Sequence, residues 1–325
     1  MAKTRFNLYY RLQYLAFRVV ETIVRSISIE TAVALARAIG LVWWYLDKRH
    51  RQIADEHLRM AFGDKMSAER REQVIKGVYL HFAVVGAEVL KFAQVIHRDN
   101  WRDYIDFAHS ERLFDVLARG RGAVVATGHL GTFELISYFF NLTSPPMLAV
   151  GRKFDNPYMD KWLWASRERM GERVINKKGG LKRMGLALRR GEVIGFVADQ
   201  DAGRRGVFVD LFGKKASTYE SFAALALMMK VPIVPGYACR VGHPMKYRIY
   251  VDRPIEPVDT GNRKRDTHAI VQEFNRRLEK YITEFPEQWL WLHRRWKTRP
   301  PEEEAQIQPQ TRTSAVVATA AVNGG

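Results

Sequence analysis

From Gly120 onward, short β-branched apolar runs alternate with stretches of helical periodicity, and this alternation narrows the possible folds most. The runs are "AVVAT" (123–127), "MLAVG" (147–151), "RVIN" (173–176), "VIGFVA" (193–198) and "PIVPGYA" (232–238). Helical patterns begin near 132 and occupy 157–170, 180–190 and 218–229. Apolar strands without alternation are buried on both faces, and strands separated by helices pair in parallel. The pattern therefore predicts an α/β fold: a mainly parallel sheet flanked by helices. "KYRIYV" (246–251) alternates polar and apolar residues, as an edge or antiparallel strand does, and a last helix fits 266–284.

Residues 1–118 read as a helical N-terminal region, with helices around 6–27, 31–60 and 67–96. Ser67 opens the third as a weak cap, because Ser-x-x-Arg lacks the reciprocal acid of a capping box. The α/β domain then spans 119–300, and the low-complexity tail 301–325 is expected to be disordered. In the first helix Arg11, Arg18 and Arg25 recur every seven residues, while Leu8, Leu12, Leu15, Val19 and Ile23 follow helical spacing on another face. Such a helix either lies in a membrane interface or packs on the domain with its arginines in water. The N-terminus lacks the features of a signal peptide. The longest charge-free apolar stretch nearby, Ala38–Leu46, falls far short of the roughly 20 residues a spanning helix needs.

The net charge of +17 implies an acidic partner: nucleic acid, an anionic membrane surface or an acidic protein. One cysteine, Cys239, excludes an intramolecular disulfide and a Cys-rich metal site. Gly-x-Ser-x-Gly, His-Glu-x-x-His, P-loop and Gly-x-Gly-x-x-Gly signatures are all absent, which argues against the usual serine hydrolases, zincins and nucleotide-binding folds. No recognised nucleic-acid-binding motif is present either.

Polar residues do gather where the strands end. "ATGHLGTFEL" puts His129 and Glu134 after the strand 123–127, at the carboxyl end, where open α/β sheets bind ligands. A carboxylate near a histidine fixes its tautomer, so the other ring nitrogen can take a proton from a hydroxyl. The alternative is a histidine at a helix cap with an acid in the first turn. Gly128 and Gly131 would let the backbone turn and leave room for a substrate. Arg152 and Lys153 follow another strand, Arg167 and Arg169 lie in the next helix, and Asp199 and Asp201 follow a third strand.

Taken together, "GHLGTFE", "VGRKFDNP", "SRERMG", "DQDAGRRGVFVDLFGKKAST", "VPIVP" and "PEQWLWLHRRWKTRP", in this order, resemble the bacterial lipid A biosynthesis (lauroyl/myristoyl) acyltransferases of the lysophospholipid acyltransferase superfamily. The resemblance spans about residues 30–300 and implies a glycerolipid acyltransferase-like fold. It also implies transfer of a fatty acyl chain from a thioester to a hydroxyl of a glycolipid such as a lipid A precursor. By the same resemblance His129 is the general base and Glu134 orients it. Arg167, with Arg152 and Arg169, would bind phosphate or the oxyanion, and Asp199 or Asp201 would position an arginine or the acceptor. No metal or cofactor is required. The donor would be acyl carrier protein, a small acidic protein suited to the positive charge, or else acyl-CoA. Such enzymes commonly begin with a spanning anchor. Here the arginine-striped helix, "LVWWYL" and "WLWLHRRWK" would instead hold the protein on the cytoplasmic face of the inner membrane. Two other readings are a lysophospholipid or other glycolipid acyltransferase using acyl-CoA, and a non-enzymatic basic protein binding nucleic acid or membrane.

Overall fold

The computed structural model describes residues 2–143, 147–151, 154–169, 173–176 and 180–303. Most of the tail expected to be disordered, 304–325, lies outside them. Four helices open the chain: α1 (Ala2–Ser26), α2 (Ile29–Leu46), α3 (Lys48–Phe62) and α4 (Ala68–Val95). The expected single helix over 31–60 is thus two. Asp47 ends α2 and its Oδ1 accepts the His50 N–H at 3.2 Å, capping α3. Ser67 does cap α4, its Oγ accepting the Arg70 N–H at 3.2 Å without a capping box.

The elements β1 (Ile105–Ala108), α5 (Glu111–Ala118), β2 (Ala123–Thr127), α6 (Glu134–Thr143), β3 (Leu148–Gly151), α7 (Pro157–Arg169), β4 (Arg173–Asn176), α8 (Leu181–Arg189) and β5 (Val193–Val197) follow. Next come β6 (Val207–Leu211), β7 (Lys214–Thr218), α9 (Ser221–Met229), β8 (Ile233–Arg240), β9 (Tyr247–Val251) and α10 (Arg263–Glu284). Seven strands form one sheet in the order β1-β9-β8-β2-β5-β3-β4, with every neighbouring pair parallel except β8 and β9. This is the mainly parallel α/β sheet that the alternation predicts. The strand at 246–251 is antiparallel to β8 as expected, but the edge beyond it is β1, which joins the sheet from within residues 1–118. The hairpin β6–β7 also escapes the sequence pattern and stands apart as a two-stranded ribbon.

The helical region rests on this body through α4, whose buried face includes Val74, Val78 and Tyr79. α2 meets α4 closely at Gly40, where a Cβ would stand 3.0 Å from the Tyr79 carbonyl. By length and composition α2 and α4 could each cross a bilayer, which the sequence reading did not anticipate, although half of the qualifying stretch of α4 is buried inside the protein.

The arginines of α1 stay exposed to solvent while bonding along the side of the helix that meets α7. Arg18 and Arg25 pair with the buried Glu21 at 3.0 and 3.6 Å, Trp162 of α7 donates to Glu21 at 3.1 Å, and Arg11 Nε donates to the Tyr158 hydroxyl at 2.9 Å. Leu8, Leu12, Leu15, Val19 and Ile23 face outward, each at least half exposed. The helix does pack on the domain, but with its polar stripe.

Candidate active site

The register of two neighbouring strands builds the site. Thr127 of β2 pairs with Val197 of β5, and the Ala198 N–H continues the ladder to the Thr127 carbonyl at 2.9 Å. Two residues past each of these strand ends stand His129 and Asp199. Nδ1 of His129 lies 2.6 Å from Asp199 Oδ1, and the His129 backbone N–H donates to Oδ2 at 2.7 Å. Trp289 Nε1 donates to the same Oδ2 at 2.8 Å. Asp199 is fully enclosed, whereas the His129 side chain keeps 19% of its surface open.

These contacts set the electrostatics. Burial disfavours ionised Asp199, yet the facing His129, the Trp289 donor and the backbone N–H outweigh it and hold the carboxyl well below its usual range. Burial likewise disfavours the imidazolium of His129, but the Asp199 charge and hydrogen bond, with a contribution from Glu134, raise its pKa above the ordinary value. With Nδ1–H donating to Asp199, Nε2 is left as the acceptor, and the Gln200 amide nitrogen lies 3.4 Å from it.

Of the two reasons expected for Gly128 and Gly131, the backbone turn is met at Gly131, but the space beside them is not left open for a substrate. A Cβ on Gly128 would stand 2.8 Å from Asp199 Oδ2, and one on Gly131 would stand 2.1 Å from the Ala238 carbonyl, at a φ of +64°. The space they leave is filled by the protein: the carboxylate and strand β8. The buried His81 accepts from Arg240 through Nδ1 at 2.9 Å and donates to the Gly131 carbonyl from Nε2 at 3.2 Å, while Arg240 is paired with buried Glu88.

The closing segment 289–298 clamps the other side. The Leu290 N–H donates to the His129 carbonyl at 3.2 Å, the Asp201 N–H to His293 Nε2 at 3.0 Å, and Thr298 Oγ1 to Asp201 Oδ2 at 2.9 Å. Trp289 therefore holds the carboxylate that faces His129. A hydrogen bond to a charged group contributes about 1.5–3 kcal/mol. Trp289→Phe should lower turnover at least about tenfold with substrate binding nearly unchanged, as read from initial rates; unchanged turnover would remove Trp289 from the site.

Among the residues expected from sequence, His129 and Asp199 come together, and the partner expected for His129 is corrected. Glu134 instead accepts from Arg167 Nη2 through both oxygens, at 2.8 and 2.9 Å, because the first turn of α6 faces α7. Their pair borders a cavity of about 190 Å³ walled by Val89, Phe92, Tyr138, Trp162 and Leu163, with Arg25 at its edge. Asp201 is held by the closing segment and contacts no arginine in the hydrogen bonds described. Arg152 lies outside the described residues, as does the side chain of Arg169. Sequence reasoning missed Gln200, Trp289 and His293. Their signal was the polar strand end "ADQD" and the aromatic closing segment.

A histidine held by a buried carboxylate at the ends of adjacent parallel strands, with its second nitrogen left as an acceptor, is an arrangement chemically able to take a proton from a hydroxyl. Residues 3–298 match the model of the bacterial lipid A biosynthesis acyltransferases, and the chain belongs to that family; it is an acyltransferase. It is 32% identical over 264 residues to the lipid A biosynthesis lauroyltransferase of Escherichia coli K12, covering 78% of this chain and 81% of that one. The palmitoleoyltransferase of the same organism is 27% identical over 257 residues (78% and 80%), and its myristoyltransferase 24% over 271 (82% and 80%).

Proposed function

We propose that this enzyme transfers a fatty acyl chain from acyl carrier protein to a hydroxyl of a lipid A-type glycolipid, with His129 as general base. The observation that carries the mechanism is the 2.6 Å contact between His129 and buried Asp199. Nε2 removes the proton from the acceptor hydroxyl as its oxygen attacks the thioester carbonyl. The oxyanion of the tetrahedral intermediate collapses, the carbon–sulfur bond breaks, and the proton passes from Nε2 to the leaving thiolate. Asp199 stabilises the imidazolium that exists between these two transfers. Arg167, oriented by Glu134, supplies positive charge for the oxyanion or for an acceptor phosphate, and preorganised donors of that kind contribute about 3–4 kcal/mol each. The neighbouring cavity offers the acyl chain an apolar wall. The family and the lauroyl-, palmitoleoyl- and myristoyltransferase relatives support the acyl and lipid A parts of this reading. The charge of +17 supports the acidic donor. The test is transfer to a lipid A precursor with acyl carrier protein and acyl-CoA supplied side by side, the product read by mass spectrometry. Transfer from acyl-CoA alone, or to lysophospholipid alone, would overturn the assignment of donor or acceptor.

The enzyme works from the cytoplasmic face of the inner membrane, held there by the outward leucines of α1 and the exposed apolar side of α2. Burying a leucine contributes roughly 1.5–3 kcal/mol. Leu12→Gln/Leu15→Gln should therefore weaken binding to lipid vesicles on the order of a hundredfold. Both side chains are 58% exposed, so the fold should survive. Unchanged vesicle sedimentation would exclude α1 as an anchor.

A further inference from the structure

A second cluster of charge lies outside the acyltransferase site, at the corner where α2, α3 and α4 meet. Arg51 and Lys76 both stand over the ring of Trp44, at 5.1 and 5.3 Å from its centroid. Lys48, one turn beyond Trp44, lines the same open pocket as Trp44 and Arg51. The structure gives none of the three cations a carboxylate partner, and Arg51 Nε is enclosed without a hydrogen bond among the described residues. Two acids do face this pocket. Asp55 is already bound by Arg59 and Arg71, and Glu72 is exposed and forms no ion pair with the three. Two cations over one ring with a third beside them leave a local excess of positive charge that an anion would offset, and such local conflicts mark functional sites.

The surroundings identify the anion. Leu35, Ile39, Val42 and Leu46 form an unpacked stripe along α2, from 49% to 69% exposed, and Tyr45 beside them is 70% exposed. The stripe lies on the side of α2 away from Trp44, but Leu41, 40% exposed and one turn before Trp44, carries the apolar surface round toward the corner, and along the chain it ends there, since Asp47 ends α2 and Lys48 begins α3. Apolar side chains leading to aromatic rings and then to Lys and Arg follow the order of a lipid leaflet from acyl chains to headgroups. An acidic protein would have no use for the adjoining aliphatic stripe.

We propose that Lys48, Arg51 and Lys76, arranged around Trp44, form a binding site for the phosphate of an anionic phospholipid headgroup, distinct from the acyltransferase site. The inference rests on the membrane-surface reading above and names the site where the surface is gripped. The site turns attachment into recognition of lipid charge, with the apolar faces of α1 and α2 contributing charge-independent binding.

The test compares the full-length wild type with Lys48→Gln/Arg51→Gln/Lys76→Gln in sedimentation with two kinds of vesicle: pure phosphatidylcholine, and phosphatidylcholine with phosphatidylglycerol. Each basic residue near an anionic surface contributes about 1 kcal/mol, so the variant should lose affinity for the phosphatidylglycerol vesicles on the order of a hundredfold. Its binding to phosphatidylcholine and its acyl transfer in detergent micelles should match the wild type. The charge-conserving Arg51→Lys/Lys76→Arg should retain most of the preference. Equal losses on both vesicles, or an undiminished preference for phosphatidylglycerol, would overturn the proposal. So would a slower reaction with acyl carrier protein in micelles without altered vesicle binding, which would make the corner a donor dock. Displacement of wild-type protein from anionic vesicles by millimolar inorganic phosphate, at matched ionic strength, would indicate a free-anion site instead. Wild type that binds neither vesicle would refute the membrane reading itself, whereas wild type that binds both equally would refute only the headgroup site.

Discussion

His129→Ala is expected to reduce kcat/KM for acyl transfer by about 10²–10⁴-fold, the usual contribution of a positioned general base. The substitution should leave the loop in place. Asp199 keeps its hydrogen bonds from the backbone N–H of residue 129 and from Trp289, so the buried carboxylate is not stranded. The Gly131 turn, anchored by the Gln288 carbonyl at 2.9 Å and the Ala238 carbonyl through Thr132 at 2.7 Å, does not depend on the imidazole. Product formation should therefore fall by that factor while the melting temperature and vesicle binding stay near wild type. A variant transferring acyl chains at the wild-type rate would require a different base.

Asp199→Asn should have an effect of similar size by a different route. The neutral amide neither fixes the Nδ1–H tautomer nor stabilises the imidazolium, so the rate should fall by about 10²–10⁴-fold. The pH dependence has a definite sign. A general base acts when neutral, so wild-type activity is lost as pH falls through the raised pKa of His129. Removing the Asp199 charge leaves burial dominant, and the acidic limb should move to lower pH. Glu134→Gln should act mainly by releasing Arg167 from its two bonds, with a smaller displacement of that limb.

The difference between these two carboxylates shows what was legible in the chain. The strand 123–127 is read to the residue, because a fully buried parallel strand announces itself as an unbroken apolar run, and the edge strand 173–176 is matched as well although polar residues flank its two apolar ones. β1, with the sequence "IDFA", carries an acid among four residues and pairs only at the sheet edge, so no periodicity marks it. The break at Asp47 needs neither glycine nor proline: one side chain caps the second helix as the first ends. His129 and Glu134 are neighbours in the chain, and proximity in sequence made Glu134 the natural partner. Asp199 is 70 residues away and reaches the imidazole because β2 and β5 are adjacent and in register, a fact of topology that a single strand cannot reveal. The glycines were visible, but not that Asp199 and Ala238 fill the space beside them.

The central claim is that the His129–Asp199 pair performs the proton transfer. It is tested most directly by pH profiles of kcat/KM for the wild type, Asp199→Asn and Glu134→Gln, measured with one donor and one acceptor. The account predicts that the acidic limb moves to lower pH in both variants, and further in Asp199→Asn, which also shows the greater loss at its optimum. A larger displacement in Glu134→Gln, or an unmoved limb in Asp199→Asn, would contradict it.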